Sequence, residues 1–180
     1  ASAILEAAAG VEASETIVLP NNPNVLLTAR QAAALSASPV VVVPTESLQA
    51  GLAALVAYDP SRSAAENAVA MEAAATEART GSVTRASRST RLGALDVEEG
   101  SFLGLVEGEP VASGPVLDTV AREVVERLLG EGSDVLTVLV GDGADHPDGL
   151  LAELEAAHPE LEIEVHDGGQ PHYPLLFSVE

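Results

Sequence analysis

The sequence has no cysteine, no lysine and no tryptophan. Without thiols it has no disulfide scaffold, no zinc–thiolate or iron–sulfur site and no cysteine nucleophile. Without lysine it has neither a Walker lysine nor a Schiff-base lysine. Aromatic residues are only 2% of the chain, two Phe and two Tyr. No apolar run reaches the roughly 18 residues of a membrane span. The GxGxxG, Walker A and GxSxG patterns are also missing, which removes the common sequence signatures of dinucleotide, phosphate-loop and serine-hydrolase chemistry.

What is present is a chain of 180 residues, enough for one domain or two small lobes with a real core. Hydrophobic residues are 47% and the mean hydropathy is +0.23, which excludes a disordered chain. All eight basic residues are Arg; they face 28 acidic ones, for a net charge of −20. The imbalance is concentrated in residues 91–180, where three Arg oppose 20 carboxylates. Such a surface favours solubility and repels duplex nucleic acid and anionic membranes. There is no initiator Met and no signal peptide, and ASAILEAAA at the start reads as the interior of a helix. The chain therefore reads as a cytoplasmic fragment of a longer protein.

Periodicity gives an α/β protein: a layered, mainly parallel or mixed sheet with helices, plus an antiparallel meander at about 82–113. Strands are expected near 16–20, 40–43, 135–140, 161–166 and 174–179 in that one sheet. The run PVVVVP suits a strand buried on both faces. Helices are expected over Gly-stopped ASAILEAAAG, over VLLTARQAAALSA, from about Ser47, from Ser61 or Ser63, over 116–129 and after GADHPD. The pattern changes near 79–82, dividing a 1–81 α/β lobe from an 82–180 lobe of meander plus α/β.

Four stretches carry candidate chemistry. LPNNPN places Asn21, Asn22 and Asn24 where a strand runs into a helix; Asn22 or Asn24 can cap that helix, and the three together can present donors and acceptors to a ligand. VVVVPTES places Thr45 and Ser47 at the same end of the next strand, as caps or as part of an anion site. RASRSTR supplies Arg85, Arg88 and Arg91, read as one strand with 85 and 91 on one face; it is a solvated edge or a contact for a carboxylate, phosphate or acidic partner. EVHDGGQPHYP supplies His166, Gly168, Gly169, Gln170 and Tyr173 in a turn. His166, Asp167 and His172 fit no common metal-ligand spacing, and GDGADHPD lacks the EF-hand spacing and its closing Glu, so no metal site is expected. Because three of these stretches follow strands, they are expected to line one crevice at a sheet edge.

In this order, IVLPNNPNVLLTARQAAAL, VVVVPTESLQAGLAALVAYDP, GSVTRASRST and VEVHDGGQPHYPLLFSVE resemble the C-terminal region of the bacterial fatty-acid kinase FakA family, YloV-like proteins related to dihydroxyacetone kinases. The likeness spans nearly the whole chain. It departs at Leu48-Gln49-Ala50-Gly51, where members often carry Ile-Pro-Gln-Gly. It also lacks the upstream GGQTMNPS-like turn and the ATP-binding domain.

The resemblance implies a region often labelled dihydroxyacetone-kinase-like or phosphatase-like. It implies docking of a separate FakB partner, DegV-like and carrying the fatty acid whose carboxylate is phosphorylated. ATP and magnesium then belong to the parent protein and no cofactor to this chain, which is expected to be non-catalytic; the parent protein can form a homo-oligomer, and a purely structural or oligomerising domain is a further reading. The alternative is a small-molecule carbonyl site that uses His166, as a histidine does in dihydroxyacetone kinases.

Overall fold

Pro39 and Pro44 bracket four valines, and in the computed structural model, which describes residues 1–180, the first three form a strand. Pro20 and Pro44 cannot donate a ladder hydrogen bond, so both strands of this region stop early. The chain divides into two compact units, Ala1–Ala78 and Arg79–Glu180.

The first unit runs α1 (Ser2–Ala9), β1 (Thr16–Val18), α2 (Pro23–Leu35), β2 (Val40–Val42), α3 (Leu48–Val56) and α4 (Ala64–Glu77). β1 and β2 pair in parallel, with Ile17 opposite Val41. Val43, Ala54 and Met71 form the core, with Ile17, Leu19, Ala57, Ala68 and Ala75 packed on it. α4 begins with a complete capping box: Ser63 accepts from the Glu66 backbone, and the Glu66 carboxylate accepts from the Ser63 backbone. Buried Asn67 pins the turn before it, accepting from the Asp59 backbone at 2.8 Å and donating to the carbonyls of Asp59 and Arg62.

The second unit holds β3 (Arg79–Arg85), β4 (Thr90–Leu92), β5 (Leu95–Val97), β6 (Phe102–Val106), β7 (Glu109–Gly114), α5 (Leu117–Leu128), β8 (Val135–Val140), α6 (Asp148–Ala157), β9 (Glu162–Asp167) and β10 (Leu175–Val179). Its six-stranded sheet has the order β7-β6-β3-β10-β8-β9, antiparallel throughout except for β8–β9. β4 and β5 form a separate hairpin. Phe177, at the centre of β10, is fully buried. Val120, Val124 and Leu128 of α5 pack into the same core as Val83, Val138 and Phe177. A Cβ on Gly81 or Gly104 would press into Val124, Leu128 or Val120, so two strand glycines let α5 come close to the sheet.

The α/β class holds, with the sheet mixed. Two expectations are corrected. The five strands expected in one sheet do not share it: β1 and β2 pair only with each other, while β8, β9 and β10 join the meander. Local pattern marks a strand as buried but not its partner, and β10 here inserts between β3 and β8. RASRSTR is not one strand either. β3 ends at Arg85, Arg88 lies in a bend, and Arg91 belongs to β4, because the Ala86 and Ser101 backbones close the chain into the β4–β5 hairpin.

Candidate functional site

In the first unit the parallel pairing of β1 and β2 carries the Asn loop and the Thr/Ser loop to the same edge. Asn21 has φ +54°, a left-handed conformation that Asn tolerates better than most residues. Its backbone N–H donates to Thr45 Oγ1 at 3.1 Å, and Thr45 Oγ1 donates back to Asn21 Oδ1 at 2.8 Å. Thr45 is fully buried. The Asn21 carboxamide lies against α3 where that helix has Gly51, and a Cβ there would run into it.

The neighbouring residues act as caps. Asn22 accepts from the Asn24 backbone at 2.9 Å, with Pro23 opening α2. Ser47 accepts from the Ala50 backbone at 3.1 Å and starts α3. Asn24 is exposed. Asn21 and Thr45 thus meet directly, while Asn22 and Ser47 are engaged with their own helices.

In the second unit, Gly168 and Gly169 both donate to the Val140 carbonyl, with Gly169 at φ +63°. That turn folds Gln170 inward. Its Nε2 donates to the carbonyls of Leu139 and Tyr173, each at 3.1 Å, while its buried Oε1 has no partner. The Tyr173 side chain is exposed. The Thr84 hydroxyl donates to the His172 carbonyl, tying the turn to β3. Arg85 stacks over Phe102 at 4.1 Å and donates to the Gly100 carbonyl. Arg88 is exposed. His166, on the edge strand β9, is also exposed, 3.6 Å from the Glu164 carboxylate. Three strand spacings, roughly 14 Å, separate its strand from that of Arg85, so these two do not converge. No group of three or more His, Asp and Glu is placed to hold a metal ion, and no helix is long and apolar enough to cross a membrane.

Two carboxylates are held below their ordinary range. Glu66 is lowered by its bond from the Ser63 hydroxyl and then by the Ser63 backbone; Asp59 is lowered by the Ser61 hydroxyl and backbone and, less, by Arg62.

Residues 1–180 match the family model of the FakA-like C-terminal region of fatty acid kinases. The chain belongs to that family. An uncharacterized protein of Staphylococcus aureus is 37% identical over 166 residues, 91% of this chain, and one of Staphylococcus haemolyticus is 39% identical over 171 residues, 94% of this chain. The chain spans 30% and 31% of the length of these relatives.

Among solved structures, a fatty-acid-binding DegV family protein from Thermus thermophilus matches with a TM-score of 0.64 at 17% identity, covering 99% of this chain and 75% of that one. A DegV lipid-binding protein from Thermotoga maritima matches with a TM-score of 0.61 at 19% identity, covering 94% and 70%. These likenesses establish the fold, and they correct the identification made from sequence. That identification reserved the DegV-like architecture for a partner and gave this chain a dihydroxyacetone-kinase-like or phosphatase-like label. The DegV-like architecture is the chain's own.

The family's motifs led to the loops but not to the feature beside them. Leu48, Leu52, Leu55 and Val56 of α3 are exposed. The spacing of the three leucines, four and three residues, was readable in LQAGLAALV, but it gives no hint of which side faces solvent.

Proposed function

We propose that this chain is a recognition domain without chemistry of its own. It docks an acyl-carrying, FakB-like protein so that an ATP- and magnesium-binding domain can phosphorylate the acyl carboxylate. Family membership supplies the fatty-acid kinase context. The observation that carries the reading is the use made of the loop residues. Asn21 and Thr45 bond to each other, and Asn22 and Ser47 cap helices, so the conspicuous polar groups hold a surface in shape. A catalytic centre needs such groups aimed at a reacting atom. Asn24 of the first unit and Arg88 of the second are each exposed polar residues of the motifs, open to contact with a partner.

Isothermal titration tests this. Oleate-loaded DegV-family protein from the same organism is expected to bind, whereas dihydroxyacetone and magnesium-ATP give no heat of binding. Saturable dihydroxyacetone binding that His166→Ala abolishes, with no binding of the loaded protein, would replace this reading with a small-molecule site.

A further inference from the structure

Helix α3 has its small residues inside and its large ones outside. The buried positions are Gln49, Ala50, Gly51, Ala53 and Ala54. Leu48, Leu52, Leu55 and Val56 are 42%, 41%, 53% and 82% exposed, and Tyr58 just beyond is 48% exposed. The helix has no charged residue in a chain of net charge −20. Large apolar side chains gain most from burial, so an ordinary surface helix has the reverse arrangement.

Turning α3 about its axis would not correct this. Ser47 fixes its first turn, and Gly51 sits against the Asn21 carboxamide with no room for a side chain. The Asn21–Thr45 pair therefore holds the leucines outward. A contiguous apolar stripe held rigidly in solvent marks an interaction surface.

We propose that the Leu48–Leu52–Leu55 stripe is where the acyl-carrying protein docks, and that the partner meets it with an apolar strip flanked by basic residues. This rests on the recognition reading above and adds the contact surface. Charge selects the occupant. Residues 1–78 carry eight carboxylates and two Arg, with exposed Glu46 at the head of the stripe and, just past its tail, Asp59 paired with Arg62 at 3.3 Å, so the negative charge beside the stripe is strongest at its head. An apolar centre with an acidic rim is complementary to a partner with a basic rim. A second copy would set −20 against −20 through the same acidic rim, and an anionic lipid surface would be repelled likewise.

The test uses oleate-loaded DegV-family protein from the same organism as the probe, titrated into the chain and into Leu52→Glu, Leu55→Glu and, as a control on α2, Leu35→Glu. The substituted residues are exposed, and equal melting temperatures check that folding is kept. The expected result is binding by the wild type, at least tenfold weaker binding by both α3 variants, unchanged binding by Leu35→Glu, and affinity that falls as salt is raised. Wild-type binding that survives both α3 substitutions overturns the surface and leaves the recognition reading standing. Failure of the wild type to bind overturns the recognition reading itself. Sedimentation showing a wild-type dimer that Leu52→Glu converts to monomer assigns the stripe to a second copy and overturns the proposal.

Discussion

The Thr45 hydroxyl and Asn21 are bonded to each other twice: the hydroxyl donates to the Asn21 side chain at 2.8 Å and accepts from the Asn21 backbone at 3.1 Å. The two residues are 24 positions apart and close two loops into one support for α3. Thr45→Val keeps the shape and removes both bonds, leaving the part-buried Asn21 N–H without its acceptor. It is expected to cost about 1–3 kcal/mol in urea unfolding, with Thr45→Ser recovering most of that. Equal stability of the Val and Ser variants would show that the pair is incidental.

Gly51→Ala tests how this pair is joined to α3. In an exposed helix, Gly to Ala gains about 1 kcal/mol. Here the added Cβ displaces the Asn21 carboxamide, so the substitution is expected to destabilise. In an Asn21→Gly background, where the left-handed backbone is still allowed and the carboxamide is gone, the same change is expected to be neutral or stabilising. Additive effects in the double-mutant cycle would contradict the contact.

Ser63→Ala breaks the capping box of α4 and is expected to cost about 1 kcal/mol at neutral pH. It also removes the main cause of the lowered Glu66 pKa. A carboxylate lowered in the folded state stabilises fully above its ordinary value and loses that contribution as pH falls through the lowered one. The difference in melting temperature between wild type and Ser63→Ala is therefore expected to shrink below the ordinary glutamate range. A gap independent of pH would assign the whole effect to the neutral cap.

Gln170 is legible in the sequence as part of GGQP, but its role is not. The glycine pair predicts a turn; only long-range folding puts its amide on the Leu139 carbonyl, 31 residues away. Gln170→Ala is expected to cost about 1–3 kcal/mol by leaving the Leu139 and Tyr173 carbonyls without its amide. Gly168→Ala is expected to destabilise as well, because its Cβ would meet the Gln170 side chain. A melting temperature unchanged in both variants would rule out the inward-folded turn.

What local pattern carried was reliable where chemistry is local. Asn22 before Pro23 and Ser63 three before Glu66 became caps, and the proline-bracketed valines became a strand, though a half-buried one where burial on both faces was expected. What it missed depends on partners far away in sequence. Nothing in LLFSV specifies an antiparallel position between β3 and β8. In LQAGLAALV both helix faces are apolar, so periodicity cannot say that alanines go in and leucines out; the contact of Gly51 with Asn21 decides it.

Arg88 is exposed in the bend after β3. If it reaches the partner, Arg88→Ala is expected to weaken docking by about 1–3 kcal/mol through a lost charge-assisted bond. Its melting temperature is expected to change little, since an exposed arginine contributes little to folding. Normal binding with a much earlier melt would make Arg88 a structural residue.

Amide hydrogen exchange, followed on the chain alone and with excess oleate-loaded DegV-family protein, locates the surface that the partner covers. The expected result is protection gained across residues 48–58, with the amides of Asn21, Asn24, Val43 and Thr45 already hydrogen-bonded and slow to exchange in the free chain. Protection confined to residues outside 48–58, or none anywhere at saturating partner, would contradict the account of this chain as a recognition domain that docks through α3.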